Sequence, residues 1–219
     1  MALVSFSREE GSLGGLVARE VANRLGYQVL DLKALLERAQ AFGGIKQTDP
    51  ELLEKQPGIL ERLDRERIRY RVLLRAVVYD AALSDNIVFL GRGVGMLLGD
   101  LSHALRVLVV APLETRISRV IRQGVSANPG PKSREEAEEI VRRADRDRAG
   151  YMRYLFNVDW LNPQLHDLVI NTAALGVPSA TATVIMTIQR MNLSPTPETL
   201  ARLQDLAETS RAEARKLRD

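Results

Sequence analysis

Short, uninterrupted apolar runs recur along the chain and are separated by longer segments in which apolar residues return at helical spacing. Such runs, bounded by glycine, proline or other turn residues, are typical of parallel strands buried on both faces. The predicted strands are residues 3–6, 27–30, 87–90, 105–110 and 167–171. The pattern therefore predicts a sheet with a largely apolar interior.

The intervening segments predict amphipathic helices. In the first of them, Val17, Val21 and Leu25 recur at helical spacing, and Gly26 is well placed to end the helix. The predicted helices are residues 16–25, 32 to about 40, about 59–83, a segment after Pro112, 133 to about 149, and 178–190. Strands alternating with helices indicate right-handed crossovers, so the fold class is α/β: a three-layer α/β/α sandwich with a parallel five-stranded sheet.

Residues 193–219 differ in character from the rest. Ser194-Pro195-Thr196-Pro197 is typical of a linker, and a polar helix follows in which Leu200, Leu203 and Leu206 form a narrow apolar stripe. We predict an α/β domain of residues 1–192 and a C-terminal linker and helix of residues 193–219. The helix is either a solvated tail packed loosely on the domain, or a partner helix or first element of a further module. In the second case, residues 196–217 would mediate contact with another protein or self-association.

Composition excludes several kinds of site. The chain of 219 residues has no cysteine, which excludes disulfides, a thiol nucleophile and a cysteine metal site, and only His103 and His166 are histidines. The net charge of +3 is too small to predict nucleic-acid binding, whereas the excess of arginine over lysine suits phosphorylated ligands or reflects a biased genome composition. No leader pattern and no apolar run of roughly 18 residues is found, so we expect a cytoplasmic protein without membrane contact.

A glycine-containing loop joins the first strand to the first helix. It reads Ser7-Arg8-Glu9-Glu10-Gly11-Ser12-Leu13-Gly14-Gly15. Glycines at this point let backbone N–H groups converge at the positive end of the helix dipole, which is an anion site. A full phosphate loop would place lysine at Gly14 and a hydroxyl residue at Gly15 or Leu16, and both groups are absent. Taken by itself, the pattern also suits a plain strand-to-helix turn.

Two further motifs contain arginines. Arg92 lies between Gly91 and Gly93 after a buried strand, where ligands of open α/β sheets bind, so it suits either phosphate binding or a structural ion pair. Arg143 and Asp147 lie four residues apart on one face of a highly charged helix. A helix of this kind is often only a solvated, salt-bridged surface.

Several segments, taken in order, resemble the cytidylate kinase-like family, a branch of the nucleoside monophosphate kinases. The resemblance covers about residues 2–190, and in that branch the phosphate-loop lysine is commonly missing. The segments are Ser7-Arg8 with Gly11-Ser12-x-Gly14-Gly15, Leu25-Gly26-Tyr27 with Asp31, Gly91-Arg92-Gly93, residues 106–112, residues 143–148, Asp159-Trp160-x-Asn162-Pro163, and residues 167–172.

The resemblance implies a role for each candidate residue. It implies ATP and Mg²⁺ at the loop, an acceptor nucleotide near the second and third strands, and an arginine-rich lid at about residues 126–155 that folds over the transferred phosphoryl group. The residues it implies are Arg8, Gly11, Ser12, Gly14, Gly15 and Arg148 for ATP, Asp31 and Arg92 for the acceptor, and Arg92, Arg143, Arg146 and Asp147 for catalysis. Asp31 is equally suited to cap the helix that follows it. No residue is assigned as a metal ligand.

Two functions follow as hypotheses. The first is ATP-dependent phosphoryl transfer to CMP, dCMP or a related nucleotide. The second is a catalytically weak or inactive nucleotide sensor on the same fold, suggested by the missing loop lysine and hydroxyl, by Gly93 in place of the family's aspartate, and by Gly150 in place of its last lid arginine. Under either hypothesis the partners are small-molecule nucleotides, and no nucleic acid is expected.

Overall fold

Five parallel strands form the centre of the protein, in the order β2-β3-β1-β4-β5. The structure is a computed structural model, and it describes residues 2–42, 60–84, 86–91, 93–99, 101–123, 130–131 and 133–217. The strands are β1 Leu3–Arg8, β2 Gln28–Leu30, β3 Ile87–Leu90, β4 Ala104–Val110 and β5 Leu168–Asn171. In register, Ser5 of the central strand lies between Phe89 and Arg106. The predicted parallel five-stranded sheet is confirmed.

The helices cover both faces of this sheet. They are α1 Gly14–Leu25, α2 Leu32–Gln40, α3 Leu60–Ala82, α4 Val94–Leu97, α5 Leu113–Gln123, α6 Arg134–Phe156, α7 Thr172–Arg190 and α8 Pro197–Arg215. Two helices begin earlier than predicted. Helix α1 already includes Gly14 and Gly15 because Leu13 takes the left-handed N-cap position, and α7 starts at Thr172 but is kinked at Gly176.

Alternating side chains of the strands enter two separate apolar layers. Val4 and Phe6 of the central strand pack with α1 and α7, whereas Leu3 packs on the other face with α3 and α8. In β3, Leu90 and Phe89 divide between the two faces in the same way. The sheet is therefore the middle layer of a three-layer α/β/α sandwich, as the alternation of elements predicted.

Helix α8 packs along α3 instead of extending away from the domain. Leu203 of the predicted stripe is fully buried and Ala207 beside it is buried too, while Leu200 stays exposed. Arg211 binds Asp80 of α3. The proposed division at residue 192 stays a prediction. Among the described residues, no helix combines the length and the apolar character that crossing a bilayer requires.

All five strands end at one edge of the sheet, because all five are parallel. The loop after β1, the residue Asp31 after β2, Gly91 after β3, and Ala111 and Thr172 after β4 and β5 therefore lie along that edge. In open α/β sheets this is the edge at which ligands bind. The fold thus brings together the segments that carry most of the predicted site residues.

Candidate functional site

The loop of residues 9–15, called the glycine loop below, is packed too closely for side chains at two of its glycines. A Cβ on Gly11 would lie 2.7 Å from the carbonyl oxygen of Arg116, and Gly11 has a φ of +74°. A Cβ on Gly14 would lie 2.7 Å from the Cβ of Arg8 and 2.9 Å from the Cβ of Val109. These two glycines are needed so that the loop can turn tightly against β4 and α5.

Ser12 is fully buried, and its hydroxyl is used inside the glycine loop. The hydroxyl donates to the carbonyl of Glu9 at 2.8 Å and accepts from the N–H of Gly14 at 3.3 Å. The hydroxyl of Thr172, at the start of α7, donates to the carbonyl of Ser12 at 2.6 Å. Ser12 therefore holds the shape of the loop, and its side chain does not face the open side.

The first turn of α1 has no polar side chain at its N-cap. Leu13 occupies that position in the left-handed conformation, with a φ of 64°, and its apolar side chain cannot accept from the first amides of the helix. Four other helices are capped by side chains, those of Asp31, Ser133, Asn171 and Thr196. In the first turn of α1 the N–H of Gly14 donates to the Ser12 hydroxyl, and those of Leu16 and Val17 donate to the Leu13 carbonyl. An anion would therefore meet mainly the Gly15 N–H and the positive end of the helix dipole, with no acidic residue in the first turn to oppose it.

Arg8 extends across the same end of α1. Its Nε lies 3.9 Å from the position that a Cβ on Gly15 would take, and its Nη1 lies 2.8 Å from that of a Cβ on Gly91. The guanidinium therefore lies between the first turn of α1 and the end of β3. This position places a positive charge beside the amides of the loop. Arg92, the predicted acceptor residue, lies outside the described residues.

Helix α6, called the lid helix below, brings one predicted arginine to the glycine loop. The guanidinium of Arg148 lies 4.0 Å from the Glu10 carboxylate and 5.4 Å from the ring centre of Trp160. Arg146 instead binds Glu139 of the same helix at 2.7 Å, on the exposed side. Arg143 is exposed as well, and Asp147 is half-buried. Of the predicted residues of the lid helix, Arg148 is therefore the one that the structure brings to the glycine loop.

A buried arginine that the sequence reasoning missed lies beneath the loop. Arg116 of α5 donates from Nε to the carbonyl of Ala111 at 3.0 Å and from Nη1 to Asp145 of the lid helix at 2.7 Å. Its Nη2 lies 3.3 Å from a carboxylate oxygen of Glu9. Burial raises the pKa of the Glu9 carboxyl above its ordinary value, against the opposing effects of the Ala111 N–H and of Arg116.

A signal for Arg116 exists in the sequence. Leu113, Ile117 and Val120 define the apolar face of α5, and Arg116 lies on that face between them. An arginine at a buried helical position needs partners for its charge. The partners come from distant segments, so the sequence pattern alone does not identify them.

Asp31 acts as the N-cap of α2. Its carboxylate accepts from the N–H of Ala34 at 3.2 Å and lies 3.6 Å from the guanidinium of Arg19. This is the capping alternative of the two roles considered for it. A contact between Asp31 and an acceptor nucleotide stays a prediction.

Gly93, which stands where the family's aspartate is expected, lies under the end of the lid helix. Its φ is +68°, and a Cβ there would collide with the ring of Phe156 and lie 3.0 Å from the sulfur of Met152. The space an aspartate would need is therefore filled by the lid helix. Gly93 and the lid helix fit together only when residue 93 lacks a side chain.

Trp160 and His166 form a packed turn beyond the lid helix. Trp160 is buried, and the Nε2 of His166 donates to the Trp160 carbonyl at 2.8 Å. Burial lowers the pKa of His166, which favours the neutral imidazole. Within the described part of the chain, no group of three or more histidine or acidic residues is arranged to hold a metal ion.

Comparisons with known proteins find relatives of the chain in sequence and in structure. The model of the "Cytidylate kinase-like family" matches residues 3–174. The chain is 29% identical over 199 residues to a cytidylate kinase of Ignicoccus hospitalis, covering 88% of this chain and 100% of that protein. It is 26% identical over 196 residues to a cytidylate kinase of Thermococcus kodakarensis, covering 88% and 90%. A solved structure of an uncharacterized protein from Eubacterium ventriosum superposes with a TM-score of 0.66 at 20% identity, over 86% of this chain and 98% of that one.

Proposed function

The chain belongs to the cytidylate kinase-like family, and we propose that it transfers the terminal phosphoryl group of ATP to CMP, dCMP or a related nucleoside monophosphate. The observation that carries the proposal is the positive end of α1, which has no acidic residue in its first turn and has Arg8 lying across it. An anion held there would lie at the ligand-binding edge of the sheet. Membership in a family of nucleotide kinases makes a nucleotide phosphate the best candidate for that anion.

In this proposal the start of α1 and two arginines hold the donor phosphates. The Gly15 N–H donates to the phosphate oxygens and the positive end of α1 attracts them, while Arg8 and Arg148 offset the negative charge that accumulates during transfer. Mg²⁺ bound with ATP would supply further charge neutralisation. The Ser12 hydroxyl is buried within the loop and would not reach the ion. Phosphate oxygens and water would therefore be the ligands of Mg²⁺.

The acceptor side of the proposal rests on the family resemblance. Arg92 would bind the acceptor phosphate, and Arg143, Arg146 and Asp147 of the lid helix would act during transfer. Arg146 would first have to leave Glu139, which it binds on the exposed side of the helix. Such rearrangement is ordinary for lids that close over substrates.

A second candidate is a nucleotide sensor that does not catalyse transfer. The observation that favours it is the packing of Phe156 and Met152 over Gly93, which fills the place of the aspartate expected to contact the acceptor. A sensor could also use helix α8 for contact with a protein partner or with a second copy. The exposed Leu200 is the apolar residue on α8 that such a contact would use.

Turnover and binding assays distinguish the two candidates. The purified protein is incubated with Mg-ATP and each nucleoside monophosphate, and diphosphate formation is measured together with nucleotide affinity. The kinase proposal expects turnover that falls at least about a hundredfold in Arg8→Ala and in Arg92→Ala, because each removes a charge at the transferred group. Arg24→Ala, at the far end of α1 and paired with Glu20 on the surface, is the matched control and should leave turnover unchanged.

The outcomes that contradict the proposal are equally defined. Nucleotide binding without turnover for any acceptor would refute the kinase and support the sensor. No binding of ATP or of any monophosphate would refute both candidates.

A further inference from the structure

Two ion pairs join α5 to the lid helix, and they differ in their surroundings. Arg134 of the lid helix binds Glu114 of α5 at 2.8 Å, with 49% and 69% of the two side chains exposed. Arg116 of α5 binds Asp145 of the lid helix at 2.7 Å, and only 7% of the Arg116 side chain is exposed. The first pair lies on the surface, where such a pair contributes little. The second lies beneath the glycine loop.

Arg116 is bound to the glycine loop on its other side. Besides the contact with Glu9 at 3.3 Å, its Nη1 donates to the carbonyl of Glu10 at 3.4 Å. The second carboxylate oxygen of Glu9 accepts from the N–H of Ala111 at 2.9 Å. Gly11 rests directly on the backbone of Arg116. One guanidinium therefore connects the loop, the end of β4 and the lid helix.

A second contact between the lid helix and the loop lies one turn further on. Arg148 follows Asp145 by three residues and so lies on the same face, where it approaches Glu10. Other contacts of the lid helix lie away from the loop. They include the packing of Ala137 and Val141 on α5, the hydrogen bond of 2.9 Å between Tyr151 and Tyr70 of α3, and the packing of Phe156 on Gly93. Asp145 and Arg148 are therefore the residues through which the helix would sense a change in the loop.

We propose that Arg116 is a positioning residue that couples the lid helix to the glycine loop through Asp145, so that a phosphate group held by the loop also fixes the lid helix. The inference rests on the proposed function for the identity of the phosphate ligand, whereas the coupling is a property of the protein without ligand. Arg116 touches no substrate in this proposal. It acts by holding Glu9, Glu10 and Asp145 at fixed distances from one another. By linkage, whatever orders the loop then orders the helix, and the reverse holds equally.

Hydrogen exchange measured by mass spectrometry tests the coupling, with a pair of matched variants. Asp145→Ala removes the buried ion pair between α5 and the lid helix but leaves their apolar contacts, and Glu114→Ala removes the exposed ion pair. In the absence of ligand, Asp145→Ala should accelerate exchange about tenfold or more in both the loop and residues 140–150, since a hydrogen bond to a charged group is lost. Glu114→Ala should change exchange at most in the first turn of the lid helix. Equal and local effects of the two variants would overturn the proposal.

The same measurement with Mg-ATP tests the transfer of order from loop to helix. In the parent protein, nucleotide should slow exchange in the loop and in residues 140–150 together. In Asp145→Ala the slowing should be kept in the loop but clearly reduced in residues 140–150, where only the part that Arg148 contributes directly is left, a change that loss of stability alone would not produce. Undiminished slowing in both segments of the variant would refute the coupling. Asp145→Asn, which keeps an acceptor for Arg116, should restore part of the joint response and serves if the alanine variant fails to fold.

Failure of the proposed function gives a different result. If no nucleotide slows exchange anywhere in the parent protein, the phosphate site is refuted. The comparison of Asp145→Ala with Glu114→Ala without ligand still decides whether Arg116 couples the two elements.

Discussion

Adjacent glycines of the loop are present for different physical reasons. A side chain on Gly14 would meet the Cβ atoms of Arg8 and Val109 at 2.7 Å and 2.9 Å, and neither atom can move without its backbone. A Cβ on Gly15 would meet only the Nε of Arg8, at 3.9 Å. The sequence pattern treats the two glycines alike, as parts of one anion site. The structure makes Gly14 a packing requirement and leaves Gly15 open.

Alanine substitutions at these two positions should have opposite effects on stability. Gly14→Ala should lower the free energy of unfolding by about 1–3 kcal/mol, because the added methyl overfills a tight contact. Gly15→Ala should raise it by about 0.5–1 kcal/mol, because alanine is the better helix former and has room there. Urea unfolding monitored by circular dichroism measures both. A loss of equal size at both positions would contradict the assigned packing.

The burial of Arg116 can be predicted from the sequence, but the partners of its guanidinium cannot. Its place on the apolar face of α5 is visible from its neighbours Ile117 and Val120, but its partners are not. Glu9 lies 107 positions earlier along the chain and Asp145 lies in the lid helix, so only the folded sheet edge brings the three together. By contrast, Arg8 and Gly11 were predicted as site residues because the loop that contains them is contiguous.

At the scale of elements, the lid helix contacts the rest of the site through its middle and its C-terminal end. Asp145 and Arg148 contact the loop region, and Phe156 lies against Gly93. The helix itself was predicted from its capping residues, and the Ser133 hydroxyl indeed accepts from the N–H of Glu136 at 3.2 Å. Its inner face was not predicted, since charged residues occur on every side of the helix.

The packing of the lid helix on Gly93 can be tested by comparing the effect of an alanine substitution at Gly93 with that at a second glycine, Gly26. Gly93 and Gly26 have nearly equal φ values, +68° and +69°, but a Cβ on Gly26 meets nothing within 4 Å. Alanine at either position costs about 1 kcal/mol or more for the left-handed backbone. Gly93→Ala should cost roughly 1–3 kcal/mol beyond that because of the collision with Phe156.

A double-mutant cycle isolates the collision. In a Phe156→Ala background the additional cost of Gly93→Ala should disappear, leaving a cost close to that of Gly26→Ala. Chemical denaturation of the four proteins gives the coupling energy. A coupling near zero would show that the ring does not occupy the space above Gly93.

At the scale of the whole molecule, the helices pack on the two faces of the central sheet. The apolar runs predicted all five strands, and their alternation with helical segments predicted the layers. The composition of a strand buried on both faces explains this for β1, β3 and β4, whereas the edge strands β2 and β5 are partly exposed. The place of α8 was not predictable in the same way. Its stripe of Leu200, Leu203 and Leu206 is too narrow to predict which surface the helix covers. In the structure Leu203 packs on the α3 side of this chain, and contact of α8 with another protein stays a prediction.

The contribution of α8 to the stability of the molecule follows from two of its leucines. Leu203→Ala should lower the free energy of unfolding by about 2–5 kcal/mol, because the Leu203 side chain of α8 is fully buried in the apolar layer that contains α3. Leu200→Ala, with 42% of the residue exposed, should change it by about 0.5 kcal/mol or less. Thermal and urea unfolding provide the comparison. Similar small effects at both positions would favour a loosely attached tail.

The position of α8 late in the chain has a consequence for synthesis. Strand β5 ends at Asn171, yet the layer opposite α1 and α7 is completed only when α8, Pro197–Arg215, is available. At translation rates of roughly 5–20 residues per second, the ribosome needs on the order of seconds to make that stretch. A nascent chain that forms the sheet before α8 is made would leave an apolar strip of α3 exposed to water. Aggregation of nascent chains, and their demand for chaperones, should therefore depend on how fast the codons for residues 172–215 are read.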